Sequence, residues 1–134
     1  MKTHDILNIL SAEDDSDDQL LIREAINAAG IKAKIDFVEN GESLVKSLLG
    51  SDEKNRPDIV LLDLNMPKMD GRQALQEIRN QSKIKDIPIV VLTTSKDEED
   101  INTCHRLGVD SFFTKPKLFS ELVDIIKGLS IYWT

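Results

Sequence analysis

The chain has 134 residues, of which 40% are hydrophobic and 31% charged, a composition typical of one globular domain with a buried core. Its net charge of -7 argues against binding to nucleic acid or to an anionic membrane surface, and no apolar run has the length of a membrane span. The amino terminus lacks the layout of a signal peptide, and the single Cys104 cannot form an internal disulfide. A reducing, cytoplasmic compartment is therefore expected.

The first predicted strand runs from Ile6 to Ala12 and ends at the acidic run Glu13-Asp14-Asp15. Ser16 or Asp17 is expected to cap a helix that continues to about Ala29. Asp15, Asp17 and Asp18 are interpreted as helix-start residues, because acids favour the amino end of a helix dipole. The predicted buried face of this helix consists of apolar residues at helical spacing: Leu21, Ile22, Ala25, Ile26 and Ala29.

The segment from Lys34 to Glu39 alternates apolar and polar residues, which predicts a half-exposed edge strand. A second helix is expected to start at Asn40-Gly41. The polar stretch from Gly50 to Pro57 is interpreted as a loop. The predicted buried residues of the second helix are Leu44, Val45, Leu48 and Leu49.

The run that starts at Ile59 is apolar throughout and predicts a strand buried on both faces, as in a parallel sheet. This strand ends at the carboxylate of Asp63. The following segment, from Pro67 to Gly71, turns the chain into a helix that runs to about Asn80, with Asp70 as its expected N-cap.

A fourth strand is predicted over Ile87 to Thr93. Ser95 and Glu98 have capping-box spacing, which predicts a helix that begins there and stops at Gly108. A short fifth strand spans Ser111 to Thr114. The last predicted helix has its apolar face at Leu118, Leu122, Ile125, Ile126 and Leu129.

Strands and helices thus alternate five times, and no internal repeat or domain boundary interrupts them. The alternation predicts one α/β domain over residues 1–134, with a flavodoxin-like doubly wound parallel sheet of order 2-1-3-4-5 and five helices. In such a sheet, ligands bind outside the carboxyl ends of the strands, in the crevice between the first and third strands.

The predicted strands end at residues that suit phosphoryl transfer. Glu13 and Asp14 follow the first strand, Asp63 the third, Thr93 ends the fourth, and Lys115 follows the fifth. Asp14 and Asp63 flank the crevice between the first and third strands, so their carboxylates are expected to lie within a few ångströms of each other. Carboxylates at such a distance repel each other unless a cation lies between them, and Mg²⁺ suits carboxylates together with a phosphate. A nucleophile, a metal, an ammonium and a hydroxyl around a phosphoryl group provide the positioning and charge neutralisation that its transfer requires.

At these residues the chain resembles the receiver domain of response regulators, the phosphoacceptor module of two-component signalling. The resemblance lies in Glu13-Asp14-Asp15, in the run from Leu61 to Gly71, in the strand from Ile87 to Thr93, and in Lys115-Pro116. It spans the whole chain. The pattern is most similar to the stand-alone receivers that partner bacterial phytochrome-type sensor kinases.

The resemblance implies that Asp63 accepts a phosphoryl group from a histidine kinase or a phosphotransfer protein. It also implies a Mg²⁺ site made by Glu13, Asp14, Asp63 and the backbone carbonyl of Asn65. A receiver without an output domain acts by binding a downstream protein or by relaying the phosphoryl group. It is expected to catalyse only its own phosphorylation and dephosphorylation.

The resemblance further implies that Lys115 and Thr93 contact the phosphoryl group, and that Thr93 moves inward as the switch operates. Lys115-Pro116 is often a cis peptide in this family. Phe112 falls where the family has an aromatic switch residue, and because it lacks a hydroxyl its coupling would depend on packing. The alternatives for these residues are that Thr93 only starts a helix and that Lys115 is a solvated surface residue.

A haloacid-dehalogenase-type phosphatase, with Asp63 as nucleophile, is the alternative function. Two features count against it: Asn65 stands where such enzymes need a second Asp, and their nucleophile belongs to the first motif of the chain. A flavin-binding flavodoxin is a third alternative, but no Ser/Thr-rich phosphate loop follows the first strand.

The last helix and the tail after it carry apolar residues beside the core face. One interpretation is that the tail folds back onto the domain. Our hypothesis is that this surface forms a homodimer or partner interface, because exposed aromatic clusters mark contact sites. Its members are Phe119, Val123, Tyr132 and Trp133.

Overall fold

The computed structural model describes residues 6–132, and these form alternating strands and helices. The strands are β1 (Leu7–Ala12), β2 (Ala33–Val38), β3 (Ile59–Leu62), β4 (Ile89–Thr93) and β5 (Ser111–Thr114). The helices are α1 (Ser16–Ala29), α2 (Gly41–Gly50), α3 (Gly71–Asn80), α4 (Glu98–Arg106) and α5 (Phe119–Gly128), followed by a 3-10 turn (Leu129–Tyr132). Among the described residues, no helix is long and apolar enough to cross a membrane.

All five strands are parallel and lie in the order β2-β1-β3-β4-β5, which confirms the predicted fold class and strand order. β3 and β4 are buried along their whole lengths, because both faces of the sheet are covered. One apolar cluster joins the sheet to α1 and α5, and the other joins it to α2, α3 and α4. β2 forms the half-exposed edge, as its alternating pattern predicts.

Several boundaries differ from the sequence prediction. Asp15 caps α1, since its carboxylate accepts hydrogen bonds from the N–H groups of Asp17 and Asp18, so the predicted cap at Ser16 or Asp17 is wrong. β4 begins at Ile89, after Pro88, which has no N–H to donate to a strand ladder.

The capping box predicted for α4 is also wrong. Asp97 is the N-cap, and its carboxylate accepts from the N–H of Glu99. The Ser95 hydroxyl donates instead to Asp100, at 2.6 Å. The box predicted from Ser95 and Glu98 therefore fails because the serine has a partner further along the chain.

Two residues assigned to buried helix faces are exposed. Leu21 is 41% exposed and Leu118 is 61% exposed. Leu118 lies at the N-cap of α5, before the helix turns its apolar stripe toward the sheet. Lys115-Pro116 is a trans peptide, so the cis form that the family resemblance suggested is not present.

Candidate active site at the carboxyl edge of the sheet

The strand ends place the predicted site residues together at one edge of the sheet. Glu13 directly follows β1 and Asp63 directly follows β3, while Thr93 is the last residue of β4. Lys115 follows β5, and its N–H donates to the Thr93 carbonyl, which fixes the start of the next loop. The alternatives in which Thr93 only starts a helix or Lys115 is a solvated surface residue do not fit, because both side chains point at Asp63.

The ammonium of Lys115 lies among three carboxylates. Its Nζ is 2.7 Å from Glu13 Oε1, 2.7 Å from Asp18 Oδ2 and 3.1 Å from Asp63 Oδ2. Burial alone would lower the pKa of Lys115, but its hydrogen bonds to Asp18 and Glu13 and the charge of Asp63 outweigh that effect and raise it. The lysine therefore stays protonated throughout the physiological range.

The carboxylate of Asp63 is buried and accepts hydrogen bonds at both oxygens. The Thr93 hydroxyl donates to Oδ1 at 2.8 Å, and the N–H of Asn65 donates to the same oxygen at 3.1 Å. Lys115 binds the other oxygen. Charge-assisted donors of this kind hold an ionised carboxylate in one orientation, as a nucleophile requires.

Glu13 is almost completely buried, and burial raises the pKa of its carboxyl group. Hydrogen bonds from Lys115 and from the Asp15 N–H oppose that effect without cancelling it, and the nearby charge of Asp63 adds to it. The side-chain amide of Gln19 donates to the Glu13 carbonyl at 2.7 Å, which ties the end of β1 to α1.

Glu13, Asp14 and Asp63 each have a carboxylate oxygen within 4.8 Å of the others, so the three form a group that could hold a divalent metal. Together with Asp18, this edge of the sheet carries four carboxylates, and the ammonium of Lys115 contacts three of them, those of Glu13, Asp18 and Asp63. The excess of negative charge favours binding of a hard cation that takes oxygen ligands. Mg²⁺ is such a cation, and it binds well to carboxylates when a phosphate is also present.

Close backbone packing fixes the position of Asp63. Gly71, the first residue of α3, lies so near that a Cβ there would overlap the Asp63 carbonyl and approach the Cα of Leu64. The N–H of Gly71 donates to the Leu64 carbonyl at 3.0 Å. α3 is anchored at the same point by a capping box between Asp70 and Gln73.

The structure does not test every predicted role. Asn65 is exposed and its N–H contacts Asp63, but its carbonyl as a metal ligand stays a prediction. Phe112 is half-buried and packs against the cluster of α2, α3 and α4, and its switch role likewise stays a prediction.

The predicted interface surface is described only in part. Phe119 is 42% exposed, whereas Val123 is half-buried and packs against the cluster of α1 and α5. The side chain of Tyr132 and all of Trp133 lie outside the described residues. The interface hypothesis is therefore supported at Phe119 by exposure alone.

Sequence reasoning missed Asp18, which it placed only at a helix start. The carboxylate of Asp18 is a direct partner of Lys115. A signal was present, because Asp18 lies in the first turn of α1, immediately behind the acidic end of β1, and so faces the same edge of the sheet.

A family model described as the response regulator receiver domain matches residues 9–127. The chain belongs to this family. It is 34% identical to response regulator Rcp1 of a Synechocystis species over 93% of this chain and 87% of that protein. The crystal structure of a Mn²⁺-bound form of Rcp1 superposes with a TM-score of 0.81 at 35% identity, covering 95% of this chain and 94% of that one.

Two other solved receivers extend the comparison. The phosphorylated cyanobacterial phytochrome response regulator RcpA is 38% identical, with a TM-score of 0.83 and coverage of 95% and 93% of the two chains. The receiver domain of the sensor histidine kinase PA1611 from Pseudomonas aeruginosa, with magnesium in its active-site cleft, is 30% identical, with a TM-score of 0.72 and coverage of 91% and 95%.

These matches make the chain a receiver domain with a phosphoryl-acceptor role in two-component signalling. Receivers of this type pair with histidine kinases, and the family is not a classical enzyme family. The match to the receiver family over residues 9–127 therefore argues against the phosphatase alternative.

Proposed function

We propose that Asp63 is the phosphoacceptor of this receiver domain and takes its phosphoryl group from the phosphohistidine of a sensor kinase or a phosphotransfer protein. The observation that carries the proposal is the buried Asp63 carboxylate, which is bonded to Thr93, Asn65 N–H and Lys115 beside further acids. This arrangement provides an ionised nucleophile together with a fixed positive charge.

In the proposed reaction, a carboxylate oxygen of Asp63 forms a bond to phosphorus as the bond between phosphorus and the imidazole nitrogen breaks. The electron pair of the broken bond stays on the imidazole. Lys115, which remains protonated, pairs with a phosphoryl oxygen, and the Thr93 hydroxyl donates to another. Dephosphorylation is the attack of water on the same phosphorus atom.

Glu13, Asp14 and Asp63, with the backbone carbonyl of Asn65, would hold Mg²⁺. When bound, this ion supplies neutralisation of the charge on the transferring phosphoryl oxygens. The Asn65 carbonyl is proposed as a ligand from the family resemblance, whereas the three carboxylates are proposed from their proximity in the structure.

The output that we propose is a change of the surface formed by the loop after β4, by α4, β5 and α5. Phosphorylation adds charge beside Thr93, which directly precedes that loop, and biases a two-state equilibrium of the segment. Phe112 couples the segment to the core through packing alone. Residues 1–134 would thus act as one receiver domain that binds a downstream protein or relays the phosphoryl group in the cytoplasm.

The kinase partner that we propose is of the phytochrome type, which is supported by the likeness to Rcp1 and RcpA. We also propose a homodimer through Phe119, Val123, Tyr132 and Trp133. Sedimentation of the wild type and of a Phe119→Ala, Trp133→Ala double variant tests the dimer. Monomers in both proteins, with and without phosphorylation, would remove it.

Incubation with Mg²⁺ and acetyl phosphate, followed by intact-mass measurement, tests the acceptor. We expect one added phosphoryl group that hydroxylamine removes, that requires a divalent metal, and that is absent in Asp63→Asn. Steady turnover of phosphate esters without an adduct would contradict the proposal, and so would an adduct that survives in Asp63→Asn.

A further inference from the structure

A partly buried ion pair outside the acidic group joins α3 to α4. The guanidinium of Arg72, in the first turn of α3, forms paired contacts with the carboxylate of Asp100, in the first turn of α4, both at 2.5 Å. Asp100 is only 7% exposed. Because a two-point contact between these groups fixes direction as well as distance, the pair locks the starts of the two helices together.

The same pair is bonded to both loops that flank the phosphoacceptor. On the β3 side, Arg72 donates to the Leu64 carbonyl at 3.3 Å and lies 3.5 Å from the side-chain oxygen of Asn65. On the β4 side, the Ser95 hydroxyl donates to Asp100. The pair therefore contacts the segments that follow Asp63 and Thr93.

The two loops also contact each other directly. The Asn65 amide donates to the Thr94 hydroxyl at 3.3 Å, while the Asn65 N–H is bonded to Asp63. This contact bridges the loops beside the acceptor carboxylate. Its position depends on Arg72 and Asp100, because each holds one of the loops that make it.

We propose that Arg72 and Asp100 are positioning residues that keep the two loops joined beside Asp63 and thereby slow the attack of water on the phosphorylated carboxylate. The inference rests on the proposed role of Asp63. In the step concerned, the water oxygen bonds to phosphorus and the bond from phosphorus to Asp63 breaks. The products are the free carboxylate of Asp63 and inorganic phosphate, which carries the water oxygen and both of its protons.

The test follows the loss of the phosphoryl group. Wild type, Arg72→Met, Asp100→Asn and the double variant are phosphorylated with acetyl phosphate and Mg²⁺, freed of donor, and followed by intact mass. We expect each single variant to lose the group about five times faster, and the double variant no faster than the faster single, because the residues act as one unit. Arg72→Lys should lose the group at a rate between those of the wild type and Arg72→Met, since lysine keeps the charge without the paired contact.

Arg79→Met is the matched control. Arg79 lies at the opposite end of α3 and donates to the carbonyls of Leu107, Ile87 and Gly108, far from the acceptor. This variant should unfold at lower denaturant concentration yet lose the phosphoryl group at the wild-type rate.

Three outcomes would overturn the inference: loss at the wild-type rate in Arg72→Met, loss no faster than in Arg79→Met, or additive effects in the double variant. Failure of the proposed role of Asp63 looks different, because then the wild type itself carries no adduct on Asp63. Denaturant unfolding of each variant, measured in parallel, separates a general loss of stability from an effect on the reaction.

Discussion

Replacing Lys115 by Met should lower the free energy of unfolding, because it removes the cation that neutralises the carboxylates of the site. The variant leaves Glu13 and Asp63 buried without their cation, and their side chains are only 3% and 6% exposed. Removing one partner of a buried ion pair costs roughly 3–5 kcal/mol. The contact with Asp18, whose side chain is 32% exposed, is discounted for solvent screening. We therefore expect a loss of about 2–4 kcal/mol in the free energy of unfolding at pH 7 without divalent metal.

The pH dependence of that loss has a definite sign. Without Lys115, Glu13 loses the hydrogen bond that lowers its pKa, so burial raises the pKa of this carboxyl further above its usual value of 4.5. A group whose pKa is raised on folding stabilises the fold fully below its unfolded pKa and ceases to do so as pH rises through the folded pKa. The deficit of the variant should therefore be small near pH 4.5 and grow toward neutral pH.

Urea unfolding of wild type and Lys115→Met at several pH values, with and without Mg²⁺, measures this loss. Added metal should stabilise the variant, because it binds the folded acidic group. Lys46→Met is the control, because Lys46 pairs with Glu42 on the surface of α2 and its side chain is 76% exposed. A deficit that is the same at every pH, or no larger than that of Lys46→Met, would refute the reasoning.

Three further predictions concern single residues. Gly71→Ala should destabilise the fold by about 1–3 kcal/mol in unfolding assays and slow phosphorylation, because the added Cβ meets backbone that cannot move aside. Gly50→Ala is the control, because its Cβ meets open space and the variant should unfold like the wild type. Asp18→Asn should lengthen the life of the phosphorylated state, measured by intact mass, because Asp18 competes with the phosphoryl group for Lys115; an unchanged lifetime would contradict this. The Cys104 thiol, whose pKa burial raises to about 11, should react with iodoacetamide at pH 8 only after unfolding, and rapid labelling of the native protein would count against it.

The sheet and most of the site could be predicted because their signals are local. Continuous apolar runs mark buried parallel strands, and parallel strands place their carboxyl ends at one edge. Glu13, Asp63, Thr93 and Lys115 each lie at such an end, so their convergence follows from strand order alone.

What the sequence could not predict depends on contacts between distant segments. Arg72 and Asp100 are 28 residues apart, and no periodic pattern links them. Ser95 and Glu98 have capping-box spacing, but the Ser95 hydroxyl donates its hydrogen bond to Asp100, and Asp97 caps the helix instead. The exposure of Leu21 reflects a buried stripe on α1 that is narrower than its apolar residues suggest.

The most direct measurement of the central claim is the identity of the phosphorylated residue. Borohydride reduction converts an aspartyl phosphate into homoserine, which peptide mass mapping can locate after treatment with acetyl phosphate and Mg²⁺. We predict reduction at Asp63 and nowhere else. Reduction at Asp14 or another acid, with Asp63 unmodified, would contradict the assignment.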